Sequence, residues 1–409
     1  MKAGIDLGFK VNVQARVMKG DKLVREYPME HNLILDVGME KLATTYTADV
    51  FVTAAVGNGT TPTSNPSGGT TVSANGGTPN KALASAGYFV LGDVGKLLHY
   101  IGTGQQAMIT GFTSTVEVTI DLPGVVIGAQ AVEILAVDQT QLASYVVGSS
   151  TYRNTGNNEN GSQGVFDAGV DFLITRWRTF QFPDEVGTVT YTEGGWTWED
   201  VAVTNPTLFG RIVFATPIEV NLGEHLLLYV ELNTWVDCTI KTIPVLPVTN
   251  LAVAAHSAIR FSASLTYFSG VFTTGATNNN DNVNKAAVVE PCNTRNTGGT
   301  YPAVPSAIIG ITDDTTALTS DALPGSGLTI AWLTVEPDAY VASSYQYIYD
   351  AFFTGVSIDL TNWYDIRFSN DGSSNMWDGF RILFDAVQSK TLADTVQLIF
   401  TKSWSRDLS

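Results

Sequence analysis

Along this chain apolar and polar positions alternate with a period of two far more often than they recur every three or four. Val11, Val13, Ala15 and Val17 are set against Asn12, Gln14 and Arg16. Successive side chains of an extended chain point to opposite faces, so this pattern predicts a strand with one buried face. Lys19-Gly20-Asp21-Lys22 follows, then Leu23 to Tyr27, which together predict a hairpin. The same period returns at Val116, Val118, Ile120 and Leu122, less cleanly from Phe172 to Phe182, and at Val396, Leu398 and Phe400, with Trp404 on the same face. "TLFGRIVFATPIEVNLGEHLLLYVELNTWV", Thr207 to Val236, reads as two strands of a second hairpin. Ile212 and Phe214 lie before a turn at Asn221-Leu222-Gly223-Glu224, and Leu226, Leu228, Val230 and Leu232 lie after it.

One segment changes period. After "HNLILD", Met39, Leu42, Ala43 and Tyr46 follow the i, i+3, i+4, i+7 spacing of a helix face, and Asp36 is placed to cap its first turn. From Gly57 to Asn80, "GNGTTPTSNPSGGTTVSANGGTPN" holds Val72 as its one large apolar residue. It predicts a long loop on a sheet-rich domain, or a segment ordered by a neighbouring subunit. "GSSTYRNTGNNENGSQG", "TTGATNNNDNVN" and "PCNTRNTGGTYPAVP" resemble it. Short strands, frequent turn signals and no alternation with helices predict a mainly β fold: antiparallel β-sandwich domains with long polar loops and one short N-terminal helix. No fixed-period repeat points to a solenoid. At 409 residues the chain exceeds one ordinary core. "TIPVLPVTN", Thr242 to Asn250, is the best linker, giving an N-terminal hairpin and helix (1–50), a sandwich with long loops (51–245) and a second sandwich-like domain (246–409).

Composition narrows the function classes. Hydrophobic residues make up 44% of the sequence, enough for a real core, while only 15% is charged, so Thr, Ser, Asn and Gly must supply much of the polar surface. The formal net charge of −17, with no basic cluster, argues against nucleic acid and anionic membrane surfaces as partners. No run of 18 apolar residues predicts membrane insertion, and Met1 to Asp6 lacks the apolar run of a signal peptide. The expectation is synthesis in a cytoplasm, with release by lysis as part of a particle still open. Cys238 and Cys292 read as two free thiols, with pairing left open.

Conventional chemistry finds little support. His31, His99, His225 and His256 have no ligand-spaced partners, and neither a nucleophile elbow nor a phosphate-binding glycine loop is present. The adjacent acids Asp184/Glu185, Glu199/Asp200 and Asp313/Asp314 point to opposite faces if extended, which is wrong for a shared substrate. Asn278-Asn279-Asn280-Asp281 lacks the glycine and distal glutamate of a calcium loop. The expectation is therefore no catalytic residue, no cofactor and no metal. Trp196 and Trp198 lie two apart and share a face if Tyr191 to Glu199 is a strand. Such a pair can stack on a sugar ring if exposed, or pack in a core or subunit interface.

"HNLILDVGMEKLA", "VGNGTTPTS", "TLFGRIVFATPIEVNLGEHLLLYVEL" and "FRILFDAVQSKTLADTVQLIFTKSWSR", in that order, resemble virion proteins of tailed bacteriophages of the tail fibre or tail structural type. The resemblance spans most of the chain but leaves Leu251 to Leu360 unmatched. It implies a structural, non-enzymatic virion component, most simply a tail fibre or another appendage attached at tail, baseplate or collar. Such a part self-assembles, a trimer being favoured, binds other tail proteins and can contact a host surface glycan. The alternatives are a carbohydrate-binding or depolymerising appendage and a capsid-surface decoration protein.

Overall fold

The structure, a computed structural model, describes residues 2–45, 47–122, 124–153, 159–167, 171–200, 203–237, 241–243, 255–260, 267–270, 307–312, 329–335, 337–354, 360–369, 379–393 and 395–406. Among them the chain is mainly β, in sheets of thirteen, eight and six strands, with one α-helix, Asp36–Lys41. All but one of the strand pairings are antiparallel.

The spine of the largest sheet is the strand Lys2–Lys19. Along one edge, Leu7 to Met18 pair with His225–Asp237. Three partners share the other edge: Val396–Arg406, in parallel, then Glu30–Ile34, then Lys22–Glu26. The last is the hairpin predicted by the alternation, turned at Gly20, whose φ of 57° suits a residue without a Cβ. One wing of the sheet continues beyond His225–Asp237 through Asp171–Gln181 and Asn160–Asp167. The other runs from Glu30–Ile34 through Gly210–Val220, Val189–Thr197 and Thr53–Gly57 to Tyr145–Ser149. Val11, Val13, Leu228 and Val230 of the first wing share a buried core with Val56, Tyr191, Ile212 and Ile218 of the second, so the two wings form a β-sandwich.

The strands Gly210–Val220 and His225–Asp237 are present as the alternation predicts, but they do not form a hairpin. Each finds two other neighbours, and the turn between them carries the chain from one wing of the sandwich to the other. Alternation fixes which face of a strand is buried; it does not fix which strand lies beside it.

The segment 57–80 is not a long loop. After Thr53–Gly57 the chain leaves the sandwich, builds the eight-stranded sheet with strands from Ser64 to Leu135, and returns at Tyr145–Ser149. This insertion has its own core, including Val72, Ala82, Phe89, Leu98, Ile109, Val118 and Ile134. Two short strands, Ser64–Pro66 and Val72–Ala74, gain partners from Val132–Leu135, Ile127–Gln130 and Lys81–Ala84, all later in the chain. The polar residues go into turns: Asn75 sits at φ 53°, its amide donates to the carbonyls of Leu122 and Val125, and its side-chain oxygen accepts from the Asn80 N–H.

Met39, Leu42 and Ala43 of the helical segment enter the sandwich core as their spacing predicts, while Tyr46 lies outside the described residues. Asp36 does not cap the helix. Leu35 holds that position without a side-chain bond, and Asp36 instead accepts from Arg406 and Tyr345. A guanidinium is a stronger partner for a carboxylate than a free backbone N–H.

The third sheet joins Lys241–Ile243, Ala255–Arg260, Gly379–Lys390, Leu360–Ser369, Ala307–Thr312 and Thr329–Val335. The thirteen-stranded sheet draws strands from all three of the segments 1–50, 51–245 and 246–409. Cys238, Cys292, Asn278 to Asp281, Asp313, Asp314 and residues 244–250 of the expected linker lie outside the described residues.

Candidate functional site

The aromatic pair singled out by its spacing lies in and against the core. Trp196, at the end of Val189–Thr197, is 0% exposed and packs between Phe51 and Phe209, with ring centroids 6.4 and 5.5 Å away. It offers no face to a sugar. Gly210 lies directly under the indole, where an added Cβ would sit 2.4 Å from the ring. Trp198 is half-buried against the same core, with the Lys41 ammonium 5.2 Å from its ring centroid. Three of the four adjacent acids within the described residues have side-chain partners in the fold. Asp184 meets His225 at 2.8 Å, Glu185 accepts from Tyr191, and Glu199 accepts from the Thr207 N–H at 2.7 Å.

Two joints hold the molecule together. The first lies where the insertion leaves and re-enters the sandwich. Glu193 and Arg211, on neighbouring strands, are both fully buried and form an ion pair, with Arg211 Nε and Nη2 at 2.9 and 2.7 Å from Glu193 Oε2. The same carboxylate accepts from the backbone N–H groups of Gly59 at 3.1 Å, Ala143 at 3.0 Å and Ser144 at 2.7 Å. Arg211 Nη2 also donates to the Thr61 carbonyl at 2.9 Å. One buried ion pair thus grips both stems of the insertion; five hydrogen bonds match the carboxylate, as burial requires, while Arg211 Nη1 is buried without a hydrogen-bond acceptor among the described residues. The approach is so close that a Cβ on Gly59 would lie 2.3 Å from Glu193 Oε1.

The second joint seats the strand Val396–Arg406 on the helix. Trp404 Nε1 donates to the Met39 carbonyl at 3.1 Å, Arg406 Nε donates to the Ile34 carbonyl at 2.6 Å, and Arg406 also pairs with Asp36. Tyr340 stacks on Trp404 and donates to Glu40, while Tyr347 donates to the Ala43 carbonyl. Burial and the neighbouring carboxylates raise the phenol pKa values of Tyr340 and Tyr345, so both remain hydrogen-bond donors.

A third arrangement faces outward. Between the buried residues of the spine, Asn12 points to the opposite face of the sheet and lies directly across from His31 on one side and Glu231 on the other. Asn12 and Asn233 donate to Glu231 Oε1 at 2.9 and 2.8 Å, and Tyr229 donates to Oε2 at 3.0 Å. Thr175 donates to Asn233 Oδ1 at 2.6 Å. Asn12 Oδ1 meets His31 Nδ1 at 2.7 Å, and a carbonyl can only accept, so Nδ1 carries the proton. Burial, and then the Glu231 charge, push the Tyr229 phenol pKa up. Trp177 lies across from Glu231, and Trp235, two rows along, lies across from Gly8. Trp235 is 38% exposed, unlike the core tryptophans. The period-two pattern could have revealed this face, since Asn12, Glu231 and Trp235 each fall on the off-beat of a buried strand.

No protein-family model matches the sequence, and no curated protein or solved structure is significantly similar to it.

Proposed function

We propose that this chain is a non-enzymatic structural component of a tailed-phage virion, a fibre or other appendage attached at tail, baseplate or collar, that assembles with copies of itself. The observation that carries the reading is where the residues of the resemblance meet. Gly59 and Thr61 of "VGNGTTPTS" are held by Arg211 of "TLFGRIVFATPIEV" and its partner Glu193. Ile34, Asp36 and Met39 of "HNLILDVGMEKLA" receive Trp404 and Arg406 of "FTKSWSR". Stretches widely separated in sequence form two buried joints whose work is shape, as a part bearing load in a particle needs.

Light scattering on the purified chain tests the self-assembly in this reading. A trimer supports a fibre-like appendage, because such parts close by rotational symmetry around a common axis. A ring of six or twelve keeps the chain in the virion but moves it to the tail axis. A monomer at all concentrations contradicts self-assembly.

A further inference from the structure

We draw no further inference here: the strongest candidate, the surface patch at one end of the sandwich where Val186 and Leu222 stand exposed on adjoining turns, is an unpartnered apolar face, and nothing in the structure shows what covers it.

Discussion

Glu193 is the residue on which most depends. Its carboxylate receives five hydrogen bonds in a fully buried site, two from Arg211 and three from backbone N–H groups of the insertion stems. Neutralising one partner of a buried pair leaves the other charge uncompensated, so Glu193→Gln should cost about 3–5 kcal/mol in urea unfolding. A buried pair can often be exchanged for two apolar residues at little cost. Here it cannot, because Gly59, Ala143 and Ser144 would lose their acceptor. The double variant Glu193→Leu/Arg211→Leu should remain destabilised, by roughly 1–3 kcal/mol for each orphaned donor; a double variant as stable as the parent would contradict the clamp. Gly59→Ala should cost about 2–4 kcal/mol, since the new methyl would collide with a carboxylate that five bonds hold in place.

At the scale of elements, the cross-sandwich turn and the insertion make separate predictions. Glu224 closes the turn. The Asn221 N–H, and after it Arg25, holds its carboxyl below the ordinary range. A carboxylate depressed in the folded state adds stability above its unfolded pKa, roughly 4.3, and that stability is lost as pH falls through the folded value. Between about pH 5 and pH 3 the parent should therefore lose more melting temperature than Glu224→Gln. For the insertion, Gly57 and Tyr145 pair across adjacent strands, and an added Cβ on Gly59 would lie 2.7 Å from that of Ala143. An Asn-Gly link in place of residues 60–142 would strip Leu97, Leu135, Val137 and Leu142 from the core they share with Leu33, Leu35, Ala55 and Leu208, and the Thr61 carbonyl from Arg211, so the shortened chain should melt well below the parent. An unchanged melting temperature would show that the insertion adds nothing to the sandwich. Strand positions, the first hairpin and the helix face were legible in the sequence because burial imposes local periods. The blurred alternation of Phe172 to Phe182 has a cause that was not legible: Arg176 and Arg178 occupy inward positions, buried, with Arg178 over the Tyr152 ring at 4.1 Å. Nor were the strands within 57–80, whose partners lie later in the chain. The spacing of Trp196 and Trp198 drew attention to a core residue and its neighbour, whereas Trp235, on the off-beat of a buried strand, is the more exposed tryptophan.

At the scale of the whole molecule, the two ends of the described chain close on each other. The spine and the strand Val396–Arg406 run side by side in parallel, and Trp404 and Arg406 dock on the helix that follows Glu30–Ile34. Removing residues 396–409 should therefore expose the core around Met39, Tyr347 and Tyr349 and abolish cooperative unfolding, which a thermal melt would register; an unchanged melt would show that the closure adds nothing. The central claim, that the chain is a part of a tailed particle, is tested most directly by quantitative mass spectrometry. The sample is tailed particles purified on a density gradient from a lysate in which the encoding genome is replicating. The account predicts peptides of this chain in the particle band, at a fixed ratio to the other tail proteins that persists through a second gradient. Its presence in the soluble fraction alone, with none in the particles, would contradict the account.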